Sequence, residues 1–249
     1  MTELILALIA GAVVGLTLGA LGGGGSVLAV PALIYLLGFT PTAATTAGLI
    51  VVTSTSLTAL YAHARAGQVR WKAGAAFAAA GILPAAAAGA AATHLPQAVL
   101  TVAFAATAVI SAITMLRPAD TARPGSGDVQ PGKAAGAGAC LGTLTGLLGV
   151  GGGFLAVPAL VTVLAFEMEV AVGTSLLVIT ANSLASLATR SGAVTSLDWA
   201  AIGPFIGTAI LGAWDGKRMA AKVSGRRLQR IFAVVLLAVA AFMLADTVT

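Results

Sequence analysis

Two glycine-rich stretches carry the residue types best suited to chemistry in this chain: Gly22, Gly23, Gly24, Gly25 and Ser26, and then Gly149, Val150, Gly151, Gly152 and Gly153. The apolar sequence LAVPAL follows each within a few residues. Glycine lets main-chain amides approach a ligand closely. A helix that starts at such a turn presents unpaired N–H groups and the positive end of its dipole. The chemistry this allows is anion binding by backbone, with the glycines Gly22, Gly23, Gly24, Gly25, Gly149, Gly151, Gly152 and Gly153, and Ser26, as candidate contacts. The structural alternative is that the glycines only permit tight packing. A nucleotide-binding P-loop does not fit, because no Gly-Lys-Ser/Thr follows either stretch.

Neutral polar side chains form a second constellation. Thr53, Ser54, Thr55 and Ser56 cluster in one apolar segment, and Thr180, Asn182 and Ser183 in another. A hydroxyl can bond to a carbonyl three or four residues back on its own helix, so Ser and Thr there have a structural reading. An amide is harder to satisfy, and Asn182 is the candidate to touch a substrate. Ser175, Asn182, Ser186 and Thr189 fall near one helical face suited to donating to an oxyanion, and Thr174 and Ser175 near the start of that segment are further candidates. Catalytic and metal chemistry find no matching pattern. The one cysteine, Cys140, reads as a small packing residue; His63 and His94 are expected at opposite membrane faces, with His63 in a basic cluster; Glu167 and Glu169 read as loop residues. No cofactor is called for.

The elements that must hold these residues are membrane helices. Of 249 residues 59% are apolar, and 13 basic and 8 acidic residues are the only formal charges. Soluble domains carry near a quarter charged residues. The pI near 10.0 does not indicate nucleic acid, because the basic residues sit between apolar runs instead of on one polar face. The chain starts Met1, Thr2, Glu3 with no Lys or Arg before His63, unlike a signal peptide, so the first run is read as mature structure. Apolar segments are predicted at 4–21, 27–38, 43–62, 73–92 and 98–116, and again at 134–148, 154–166, 170–189, 199–214 and 228–245. Residues 117–133, with three prolines, three glycines and five charges, form a polar linker between an N-terminal repeat, 1–116, and a C-terminal repeat, 134–249. A shift of 127 residues lays GLTLGALGGGGSVLAVPAL on GTLTGLLGVGGGFLAVPAL with 12 of 19 positions identical. Gly11, Gly15 and Gly19 recur as Gly138, Gly142 and Gly146, spaced for close helix packing.

Charge sets the orientation. Arg65, Arg70 and Lys72, then Arg117, Arg123 and Lys133, then Lys217, Arg218, Lys222, Arg226, Arg227 and Arg230 are placed on the cytoplasmic side, leaving Arg190 outside. Equivalent loops then lie on opposite faces, so the repeats are inverted. The linker is cytoplasmic and both termini are extracytoplasmic. The second segment of each half is too short to cross a core of about 30 Å, more so if Pro31 and Pro158 sit in first helical turns. The expected fold is an all-α polytopic membrane protein of two inverted-topology repeats, each a Gly-rich re-entrant hairpin plus three transmembrane helices. A fully spanning ten-segment arrangement is the alternative.

GALGGGGSVLAVPAL, GLLGVGGGFLAVPAL, the VGTSL that follows the second, and the HARAGQVRW loop resemble the TauE/SafE sulfite exporter family, bacterial permeases of sulfite, sulfonates and related organic anions. The resemblance covers nearly the whole chain. It implies a bacterial inner-membrane exporter of a small sulfur-containing oxyanion, with motif positions at Gly22 through Ser26, Gly149 through Gly153, Thr174 and Ser175. Where the second half reads Gly173, Thr174, Ser175, the first reads Thr46, Ala47, Gly48, which departs from a symmetrical site. Neither glycine turn contains cysteine, which favours a sulfite-like or organosulfonate anion over persulfide chemistry. The expected mechanism is alternating access, with the anion held by turn amides at the midplane. The expected partners are the substrate anion and the lipid bilayer, without nucleic acid; a homo-oligomer is compatible with the pattern. An anion channel of the same fold and a structural or assembly membrane protein are the rival readings, and no enzyme is expected.

Overall fold

A chain with this much apolar surface must satisfy its backbone polar groups internally, and it does so in helices. The computed structural model describes residues 2–92, 97–116, 131–148, 153–188 and 199–248. Among them are ten α-helices and no strand: α1 (Thr2–Leu21), α2 (Gly24–Leu37), α3 (Pro41–Arg65), α4 (Trp71–Ala92), α5 (Gln97–Leu116), α6 (Pro131–Leu148), α7 (Gly153–Thr162), α8 (Met168–Ala188), α9 (Trp199–Ala220) and α10 (Gly225–Val248). The stretches 4–21, 43–65 and 168–187 are long and apolar enough to cross a bilayer. Large side chains face outward all round, among them Ile9, Leu83, Ile110, Leu211 and Val234. Lipid, not water, accommodates such a surface.

Every predicted segment is a helix, and the differences lie at the ends. Pro131 opens α6, so the last three residues predicted as linker form a helical first turn, where proline's preset φ is favourable. Residues 117–130, the rest of that linker, lie outside the described residues, as do 93–96 with His94 and 189–198 with Thr189 and Arg190. Pro31 and Pro158 are not in first turns. They lie inside α2 and α7, because each helix starts earlier, at Gly24 and Gly153. Both helices remain short, 14 and 10 residues, or about 21 and 15 Å.

The 127-residue offset is visible in the helix ends. Gly38, at φ 68°, closes α2 with its N–H on Ile34 O, while Phe39 N–H reaches Leu33 O at 3.1 Å. After α7, Phe166 N–H reaches Leu160 O at 3.0 Å, and Ala165 takes the left-handed position at φ 51°. In both places an N–H just past a left-handed residue reaches the carbonyl six residues back, once over glycine and once over alanine.

Small residues decide the helix pairing. A Cβ on Gly11, Gly15 or Gly19 would overlap the backbone of Phe205, Ala209 or Ala213, and one on Gly212 or Gly216 would meet Ala12 or Leu16. The order of these contacts makes α1 and α9 parallel. Gly138 and Gly142 press on Phe77 and Gly81 in the same way, so α4 and α6 are parallel. The expected packing role holds at Gly11, Gly15, Gly19, Gly138 and Gly142; the surroundings of Gly146 are outside what is described. Cys140, between Gly138 and Gly142 on α6, is instead exposed. At the centre α3 packs on α8 with α2 and α7 alongside, and α5 packs on α10. Ser56 meets Thr180 and His63 lies beside Gly173, so α3 and α8 run antiparallel.

Candidate functional site

The first glycine stretch contains a turn of two residues. Gly22 N–H donates to Leu18 O at 2.9 Å, ending α1, and its φ of 65° sends the chain back. Gly23 is the N-cap of α2 at φ −54°, and no side chain caps that helix. Gly24, Gly25 and Ser26 therefore belong to the first turn of α2 instead of a loop. Their amides are of the kind an intact helix leaves for outside acceptors. A Cβ on Gly22 would sit 2.6 Å from Ser175 Oγ and 3.3 Å from both Val157 Cγ2 and Val172 O. The turn of the first half thus rests against α7 and α8 of the second. In the second stretch Gly149, Gly151 and Gly152 lie outside the described residues, and Gly153 opens α7.

The three candidates on α8 divide. Ser175 is fully buried, donates to Val172 O at 2.8 Å and abuts Gly22. Thr174, also fully buried, accepts the N–H of Arg70 at 3.1 Å, which commits one lone pair of its hydroxyl to the start of α4. Asn182 lies two turns further on, about 10 Å along the helix from Ser175. Its Oδ1 is buried with no partner among the described residues.

Between these points the hydroxyls of α3 and α8 form a small network. Thr53 donates to Leu49 O and Thr180 to Leu176 O, both at 2.7 Å and 127 residues apart in sequence. The Thr180 and Ser56 hydroxyls are 2.9 Å apart. Thr55 bonds Val51 O at 2.6 Å, the structural back-bond expected of it. Ser183, the counterpart of Ser56, is 1% exposed, and its Oγ has no partner among the described residues. Asn182 and Ser183 therefore leave unused hydrogen-bonding capacity in the interior, the condition under which a polar ligand gains most.

The sequence does not reveal a third polar group. His63 is not in a solvated basic cluster but 3% exposed beneath it. Its Nε2 is 3.3 Å from Gly19 O, and Gln68 Nε2 donates to Glu169 Oε2 at 2.8 Å, tying the loop after α3 to the start of α8. Lys217 Nζ donates to Ala62 O. The available signal was the seven-residue step from Ser56 to His63, two helical turns on one face of α3. Among the described residues no group of His, Cys, Asp and Glu is arranged to hold a metal.

The arrangement can receive a small polar species through neutral donors and main-chain amides. Two proteins of Xylella fastidiosa, from strains 9a5c and Temecula1, are each 32% identical to this chain over 251 residues, covering 97% of it and 95% of the relative; both are named "Probable membrane transporter protein". Residues 7–243 match the family described as Sulfite exporter TauE/SafE. Apolar spans, lipid-facing side chains and an end-to-end match agree: this multi-pass membrane protein belongs to the TauE/SafE sulfite exporter family.

Proposed function

We propose that this chain exports a small sulfur-containing oxyanion, such as sulfite or an organosulfonate, across the bacterial inner membrane by alternating access of two inverted repeats. The repeats are 1–116 and 134–249, joined by the cytoplasmic linker 117–133. The observation that carries the reading is the Gly22 turn of one half seated on Ser175 of the other. There a helix start without a side-chain cap supplies positive partial charge. Asn182 and Ser183 supply neutral polar groups further along the path.

Inversion has its own support. The antiparallel course of α3 and α8 relates two segments that the 127-residue offset makes equivalent. Exchange of the halves also turns the parallel α1 and α9 pair into the parallel α6 and α4 pair. Both termini are then extracytoplasmic. Gly22 is level with Ser175, seven residues or about 10 Å from the start of α8, the end that this orientation puts on the cytoplasmic side. The anion therefore meets the first turn on the cytoplasmic side of centre.

The test is a thermal-shift screen of purified protein against sulfite, sulfate, thiosulfate, sulfoacetate, taurine and lactate, since a ligand bound only by the folded state stabilises it. Counterflow in proteoliposomes follows for any anion that shifts the melt. Saturable, trans-stimulated flux of a sulfur oxyanion is expected. Unsaturable conductance would replace the transporter by a channel, and no shift at millimolar concentration for any anion would overturn the site. Cysteines introduced at Arg65 and Arg190 in a Cys140→Ser background should label from opposite sides; labelling from one side would remove the inversion.

A further inference from the structure

His63 is a buried titratable side chain at the end of α3 that the anion path does not need. Its Nε2 approaches Gly19 O, in the last turn of α1 and three residues before Gly22. A carbonyl oxygen only accepts, so this contact requires a proton on Nε2. Nδ1 is buried and has no partner among the described residues. The Gln68 side chain lies against the ring. Its orientation is set from the other side, because Glu169 Oε2 only accepts and so takes the Gln68 amide NH2. Gln68 Oε1, also buried and without a partner among the described residues, is left for the imidazole. The packing is close, since a Cβ on Gly173 would approach His63 Cβ at 3.3 Å and the Gln68 backbone carbon at 3.1 Å.

A neutral imidazole cannot serve both neighbours. With its proton on Nε2, the ring offers the unpartnered Gln68 carbonyl only the Nδ1 lone pair; with its proton on Nδ1, the Nε2 lone pair faces Gly19 O. An imidazolium has one N–H for each acceptor. The charged groups around it are Lys217 from α9, held on Ala62 O, and Glu169 from α8, which acts through Gln68. Arg65 on α3, Arg70 in the following loop, Lys72 on α4 and Glu167 before α8 are exposed at the rim, as is the Arg218–Asp215 pair on α9. From α1 the ring meets the Gly19 carbonyl.

We propose that His63 is a proton-binding site that latches the first glycine turn: with both ring nitrogens protonated, it ties the end of α1 through Gln68 and Glu169 to α8, and deprotonation releases the turn. The consequence for transport, that anion movement is proton-linked, rests on the export reading above; the latch itself does not. Gly22 lies three residues beyond the bonded carbonyl, so the latch acts on the turn that abuts Ser175.

The test reads hydrogen exchange of residues 16–28 in the full-length protein in lipid nanodiscs, between about pH 5 and pH 8, corrected for intrinsic exchange. Wild type should lose protection at least about tenfold on deprotonation, as expected for one charge-assisted hydrogen bond. His63→Gln should show no such step, and neither should Gln68→Leu, which keeps the imidazole and removes only its second acceptor. Equal protection on both sides of the titration in wild type would overturn the latch, as would a step that survives Gln68→Leu. In proteoliposomes with an imposed pH gradient, sulfite flux should follow the gradient in wild type and ignore it in Gln68→Leu. A pH-dependent turn in vesicles without flux of sulfite or of any organosulfonate in the screen would uphold the latch and refute the export reading. Sulfite flux indifferent to pH beside an intact latch would remove the coupling alone.

Discussion

Replacing Gly22 by alanine separates two physical effects that meet at the candidate site. The first is backbone strain: at φ 65° an L residue costs about 1–2 kcal/mol, less a few tenths for the lower entropy of the unfolded chain. The second is contact, because the new Cβ would be 2.6 Å from Ser175 Oγ, where ordinary contact begins at 3.4 Å. Overpacking of this kind adds about 1–3 kcal/mol. Gly67 is the control. It has φ 70° with nothing within 4 Å of its Cβ position, so Gly67→Ala carries the strain alone. In a chain this long about 1 kcal/mol moves Tm by ~2–4 °C. Gly67→Ala should lower Tm by about 2–5 °C and Gly22→Ala by about 4–12 °C, measured by thermal unfolding in one detergent. Ser175→Ala removes the clashing atom, so the Gly22→Ala/Ser175→Ala double variant should recover most of the difference. Equal losses in the two glycine variants, or no rescue by Ser175→Ala, would refute the contact between the first turn and α8.

Gly15→Ala should cost about 1–3 kcal/mol by forcing α1 away from Ala209, whereas Gly207→Ala, with nothing near its Cβ position, should be neutral or stabilising, both read from Tm. Gly38→Ala should destabilise by about 1 kcal/mol while Ala165→Gly should be neutral or gain up to about 1 kcal/mol, because the two positions hold the same left-handed cap. Ser183→Ala should raise Tm, since it removes a buried hydroxyl without a partner among the described residues, and should reduce sulfite flux in proteoliposomes; a stabilised variant with full flux would exclude Ser183 from the path.

Much of the fold could be read from local pattern. Apolar runs located each helix because burial in lipid is a property of a segment's own composition. The 127-residue offset carried over to three-dimensional detail, down to paired caps at Gly38 and Ala165 and paired back-bonds at Thr53 and Thr180. Glycines spaced by four announced close packing, because only a missing side chain allows it. Local pattern did not reveal that Gly24 begins a helix with Pro31 inside it. The starting point of a helix depends on where the preceding chain turns, here at Gly22. The site was less legible. Thr174, a candidate ligand contact, also accepts Arg70 N–H, 104 residues away in sequence, which local pattern could not show. His63 looked like one of a basic cluster, yet it is buried against a carbonyl 44 residues upstream. Composition and periodicity fix which segments become helices and which faces are apolar, because those choices depend on neighbouring residues. The facing of Gly22 on Ser175, and of His63 on Gly19 and Gln68, depends on the depth and register at which distant helices pack; shape complementarity sets that depth and register, and it exists only after the chain has folded.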